Sequence, residues 1–118
     1  MSSHIYLGDN DYLYLGASND IQLYHDTANS YFVNTTGNLR IYSGGAESIR
    51  CGSNGVTSLF HNGTEMMYTH SVGIKLNDSK KIYLGTSADM QLYHDGNNNY
   101  IVAGQSLFIK NDYEIQFL

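Results

Sequence analysis

The tripeptide Tyr-His-Asp occurs twice, at Tyr24-His25-Asp26 and at Tyr93-His94-Asp95. Histidine beside aspartate is the material of general acid–base catalysis, in which a carboxylate orients an imidazole and steadies its charge. The spacing argues against that use. Both copies lie in runs of alternating polarity, and neighbours on a strand point to opposite faces, so His25 and Asp26 cannot readily share a proton. Neither copy has a serine or cysteine nucleophile at a recognisable elbow. The acidic residues are eight Asp against three Glu, placed mostly in turns rather than paired across a groove as a glycosidase needs. No catalytic residue is expected, and the chain is not expected to be an enzyme. Recurrence favours a structural role, with Asp opening a turn and His packing beside Ile and Leu.

Metal binding is the second chemistry open to these histidines. One inward histidine per chain, His25 or His94, would become three imidazoles around the axis of a three-fold assembly, a set that suits zinc or iron. The single chain offers no His-x-His or His-x-x-x-His pair, so no metal and no other cofactor is expected. The third chemistry is recognition. Tyr6, Tyr14, Tyr24, Tyr83 and Tyr93 alternate with aliphatic residues. Rings stack on pyranose faces and the abundant amides bind hydroxyls, so Tyr14, Tyr24, Tyr83 and Tyr93 are the candidate glycan- or receptor-binding residues. The competing reading has these tyrosines covering a sheet or packing between chains.

The elements that position them repeat. Residues 13–26, "LYLGASNDIQLYHD", and 82–95, "IYLGTSADMQLYHD", share ten identities in fourteen at an offset of 69. Tyr31 then matches Tyr100, Val33 matches Val102, and after a one-residue deletion "LRI" at 39–41 matches "LFI" at 107–109. A smaller echo, "IYLGDND", stands at 5–11. Such self-similarity has to be settled first, because it decides the fold. Strand-like starts fall at Ile5, Leu13, Ile21, Tyr31, Leu39, Ile49, Met66, Ile74, Ile82, Met90, Tyr100, Leu107 and Ile115, with "VTSLFH" filling the widest gap. Within each unit the period is two, so Ile21, Leu23 and His25 share a face opposite Gln22, Tyr24 and Asp26. No stretch has helical spacing. Asn62-Gly63 and Asp95-Gly96 are hairpin signals of the kind a type I′ turn requires. Lys80 and Lys81 read as a solvated edge guard at a turn.

The predicted fold is all-β: an elongated repetitive structure of about 13 short strands, either an intertwined trimeric β-prism or β-helix or a single-chain β-solenoid. Residues 1–118 form one β-repeat domain, with an internal duplication 13–41 / 82–109 and a hairpin-containing connecting unit 55–78. One unit brings about two inward aliphatics, less than the backbone entropy of fixing eight residues, so units must stack on one another or on symmetry copies.

Composition agrees. The chain has 11 Tyr, 12 Gly, no Pro and no Trp, and only 14% charged residues, against roughly a quarter in ordinary soluble domains. A net charge of −5 with six scattered Lys and Arg offers nucleic acid no basic patch. Apolar runs are too short to insert in a membrane, and "MSSHIYLG" lacks a secretory pattern. Cys51 is alone, and "SIRCGS" reads as a strand holding a half-buried structural thiol.

At "GASNDIQLYHDTANSYFVNTTGNLRI" and "GTSADMQLYHDGNNNYIVAGQSLFI" the chain resembles repeats in tail-fibre and other virion structural proteins of marine bacteriophages. "SLFHNGTEMMYTHSVGIKLN" resembles the unit that commonly alternates with them, and together the segments cover nearly the whole sequence. The resemblance implies an elongated homotrimeric shaft or tip, assembled in the host cytoplasm and working extracellularly on the virion, with host-surface attachment as its task. Such fibres are usually much longer, which leaves a fragment, a small separate subunit or an end-to-end assembling relative open. The alternatives from other classes are a monomeric β-solenoid or lectin-like glycan-binding module, and a subunit of a self-polymerising extracellular filament.

Overall fold

The computed structural model describes residues 3–110 and 112–117. It is all-β: the described residues form eleven strands and no helix. The chain divides into two compact units, Met1–Ile74 and Lys75–Leu118. In the first unit β1 (Tyr12–Leu15), β2 (Ile21–His25) and β3 (Ser30–Asn34) make one sheet. A second sheet follows from β4 (Leu39–Ser43), β5 (Ala46–Cys51), β6 (Thr57–His61), β7 (Thr64–His70) and β8 (Gly73–Lys75). In the second unit β9 (Lys81–Leu84), β10 (Met90–His94) and β11 (Asn99–Ala103) make the third sheet. Every sheet is a meander of chain neighbours, antiparallel wherever the register is defined, and none closes on itself.

The duplication is structural as well as textual. Leu13 faces Leu23 and Leu23 faces Phe32 across the first sheet; Ile82, Leu92 and Ile101 stand in the same register in the third. The second sheet has its own aliphatic row, Ile41–Ile49–Leu59–Met67. Because side chains alternate along a strand, each row belongs to one face and the polar row beside it to the other. Those opposite rows are Tyr12–Tyr24–Tyr31, Lys81–Tyr93–Tyr100 and Arg40–Arg50–Ser58–Tyr68.

Among the described residues no hydrophobic side chain is buried; the two buried residues are Glu47 and Ser58. Leu23 is 48% exposed although it stands mid-row on an aliphatic face, and Phe32 (55%) and Ile101 (63%), which end their rows on edge strands, are more open still.

Local chemistry explains the turns. Asn62 and Gly63 both take positive φ (48° and 74°), the type I′ geometry expected of that pair. Asp95-Gly96 behaves otherwise: Gly96 alone has positive φ (101°), and the loop runs on to Asn98, whose carbonyl accepts from the Asp95 amide at 3.1 Å. In "LGxSxD" the glycine is needed for contact. A Cβ on Gly16 would collide with the Asp20 carboxylate, as one on Gly85 would with Asp89, and both glycines have φ of 91°.

Several expectations need correction. Eleven strands stand in place of about thirteen, because the segments at Ile5, Leu107 and Ile115 adopt none. Alternation specifies which way side chains face, but a strand also needs a partner for its backbone groups. Cys51 is on a strand as expected, yet exposed. Lys81 is no solvated guard: it lies half-buried in β9, and its ammonium sits 4.3 Å from the Tyr93 ring centroid.

Candidate functional site: the tyrosine faces and their aspartate turns

The Tyr-His-Asp motif ends a strand. After β2, Asp26 Oδ1 accepts from the amides of Ala28 (3.0 Å) and Asn29 (2.7 Å), and Oδ2 accepts from the Tyr31 hydroxyl at 2.8 Å. After β10, Asp95 repeats the pattern with Asn97 and Asn98 at 2.8 Å each and the Tyr100 hydroxyl at 2.9 Å. Aspartate here imitates the backbone and tightens the reversal, which places the next strand in register. The backbone amides lead in holding both carboxyls below their ordinary range, and the tyrosine hydroxyls add to the effect. The phenols of Tyr31 and Tyr100 are raised in return, first because each donates to its aspartate.

Those turns anchor a ladder of rings. Tyr24 stacks on Tyr31 at 4.6 Å between centroids and meets Tyr12 at 4.3 Å, and Tyr12 stacks on Tyr14 at 5.2 Å. Partial burial in that ladder is the first cause raising the Tyr24 phenol. In the third sheet Tyr93 stacks on Tyr100 at 4.6 Å, and Lys81 covers it where Tyr12 stands in the first copy. The Lys81 ammonium also donates to Gln91 Oε1 at 2.9 Å.

Of the four candidate recognition residues, Tyr24 and Tyr93 are half-buried inside the stacks. Tyr14 (45% exposed), which stacks on Tyr12, and Tyr83 (56%) are the more exposed pair. Tyr14 and Tyr24 share the face of the first sheet, and Tyr83 and Tyr93 that of the third. The two pairs belong to different compact units, and each is a separate candidate surface.

His25 and Asp26 do not act on each other as a dyad. His25 Nδ1 lies 3.1 Å from Ser30 Oγ, its Nε2 lies 3.9 Å from Asp9 Oδ1, and the Asp26 oxygens are taken by the turn. His94 has a buried Nδ1 with no hydrogen-bond partner, since Asn99 stands where Ser30 does in the first copy. No group of three or more His, Cys, Asp or Glu within metal-binding reach occurs among the described residues.

A second cluster escaped the sequence reading. Glu47, 7% exposed, accepts from Arg40 (2.7 and 2.9 Å) and from Arg50 (3.0 and 2.7 Å), two-pronged in each case. Arg40 and Arg50 are direct cross-strand partners, so one carboxylate bridges two like charges. The Arg40 hydrogen bonds lead in driving the Glu47 carboxyl far below its usual range. Arg50 also lies over the Phe60 ring at 4.7 Å. An open hollow of about 350 Å³ beside it is lined by Asn38, Arg50, Ser53, Asn54, Ser58 and Glu65. A register shift between Ile41 and Tyr42, which strand alternation in the sequence does not announce, brings Glu47 onto the arginine face.

No protein-family model, curated protein or solved structure matches the chain.

Proposed function

We propose that the chain is a non-catalytic structural and adhesive module that assembles as a homotrimer in the fibre of a phage virion and supports attachment to a host surface. One observation supports it above all: three sheets each present an aliphatic row on one face, and no hydrophobic residue described in the chain is buried. A chain whose described residues bury no hydrophobic side chain cannot offset its conformational entropy alone.

Strand length favours three copies. Most strands here have five residues, which span about 17 Å. Three copies of one sheet, one from each chain, facing one another as a triangle of that side have their faces about 5 Å from the axis, half of the roughly 10 Å between packed sheets. Side chains of Leu and Ile size fill that space. A single-chain solenoid is less well supported, because it needs coils stacked in parallel, whereas the defined pairings here are antiparallel and between chain neighbours. With the aliphatic rows inward, the tyrosine faces point outward, and Tyr14 and Tyr83 become the attachment candidates, toward a host-surface glycan.

Two experiments test this reading. Unfolding followed by far-UV circular dichroism is expected to shift to lower denaturant on dilution, as for any assembly whose core lies between chains; a concentration-independent midpoint contradicts it. A glycan array is expected to lose signal with Tyr14→Ala and Tyr83→Ala while the assembly stays intact. An unchanged array profile would remove both residues from the attachment surface.

A further inference from the structure

The repeat assigns a place to the three segments, at Ile5, Leu107 and Ile115, that form no strand. Ile5 and Tyr6 stand where Ile74 and Lys75 stand in β8, and both segments enter the following sheet by the same bond: Asn10 N to His25 O and Ser79 N to His94 O, each 2.7 Å. At the other end, Thr35 N donates to Asp20 O and Gly104 N to Asp89 O, each at 2.8 Å. From that common exit the first copy runs into β4. The second runs into "LFIK" at 107–110, which has the alternation of β4 without its strand. Beyond it Ile115 and Phe117 alternate with Glu114 and Gln116, as Ile49 and Cys51 do with Ser48 and Arg50 in β5.

From this we infer that copies of the chain join end to end, residues 5–7 of one copy completing a sheet with residues 107–110 and 113–117 of another. Direction permits it. In the second sheet β4 to β7 pair antiparallel, and the two residues joining β7 to β8 are too few for a parallel crossover, so removing β6 and β7 from the order β4-β5-β6-β7-β8 leaves β8 antiparallel to β5. The composite is a three-stranded antiparallel sheet, the size of the first and third. Its aliphatic face follows from the equivalences. Ile74 lies with Leu59 and Met67 beside an apolar hollow, which puts Ile5 and Leu7 on the inward side together with Leu107, Ile109, Ile115 and Phe117. These side chains are open in the single chain: Ile5 is 85% exposed, Ile109 58% and Phe117 86%. The contact is head-to-tail, so it propagates instead of closing.

The inference rests on the reading of the chain as an assembling structural module but uses residues outside the three aliphatic rows. The trimer can therefore fail while the joint holds. Light-scattering mass against concentration tests it, with two blocked variants: Ile5→Asp with Leu7→Asp, and Leu107→Asp with Ile109→Asp. The native chain is expected to lengthen as concentration rises. Each blocked variant stays at the mass of one module, and an equal mixture of the two doubles it, since each supplies the end the other lacks. A peptide of residues 3–11 in excess stops lengthening of the native chain, and a scrambled peptide does not. A native mass that does not rise, a blocked variant that still lengthens, a mixture that stays at one module, or growth unaffected by the peptide overturns the joint.

Discussion

The Tyr31 hydroxyl donates to Asp26 Oδ2 at 2.8 Å, and 69 residues on Tyr100 donates to Asp95 at 2.9 Å. The same aspartates accept two backbone amides each, so the motif ties the end of one strand to the second residue of the next. Tyr-His-Asp recurs because its aspartate builds a turn and its tyrosine builds a stack. His25 contributes a contact with Ser30 on the other face.

This latch has a pH signature. Asp26 and Asp95 are held below their ordinary range, so their contribution is complete above the ordinary carboxylate value of about 4 and is lost as pH falls through the lowered one. Tyr31 and Tyr100 are raised, so theirs is complete below the ordinary phenol value of about 10 and is lost as pH rises through the raised one. Thermal melts across pH are expected to show a plateau between those limits. Tyr31→Phe with Tyr100→Phe should flatten the alkaline limb and leave part of the acid one. An alkaline limb unchanged in the double variant would mean these phenols are not linked to folding.

Thr27 sits at φ 85°, where its repeat partner Gly96 sits at 101°. The left-handed region costs an L residue about 1–2 kcal/mol, while glycine's extra freedom in the unfolded chain costs about 0.5–1 kcal/mol. Thr27→Gly is therefore expected to stabilise by up to about 1 kcal/mol, and Gly96→Thr to destabilise by a similar amount. Urea midpoints that move in these directions at constant slope would bear this out.

Glu47→Gln leaves Arg40 and Arg50 facing each other with no carboxylate between them. The variant is expected to unfold at lower denaturant, and about 1 M salt should recover part of the loss by screening the repulsion. In the native chain the same salt acts on an attraction, so its effect should have the opposite sign. Arg50→Met in the Glu47→Gln background should restore stability without salt. Salt effects of one sign in both proteins would refute this account of the cluster.

The strands and their faces were legible because period-two alternation and a 69-residue copy point to the same answer: Ile21 to His25 and Met90 to His94 are strands with the faces expected of them. Partners were less legible. "IYLG" at 5–8 is almost the string of β1 and β9, and only the chain beside it decides whether it pairs. Charge geometry was hidden for a related reason. Arg40, Glu47 and Arg50 look scattered along the chain, and they meet through a hairpin at Gly44-Gly45 whose register shift turns Glu47 to the arginine side. Tyr31 and Tyr100 were visible as matched positions, but their bond to an aspartate five residues earlier depends on how the loop closes.

The central claim is that the core of this protein lies between chains, and solution mass tests it most directly. Sedimentation equilibrium is predicted to give three chains of 13.2 kDa each, or whole multiples of three where ends join. Leu23→Asp with Leu92→Asp, one substitution in each of two aliphatic rows, should dissociate the assembly and remove the strand signal together. A mass of one chain that keeps its strand signal and unfolds cooperatively would contradict the claim.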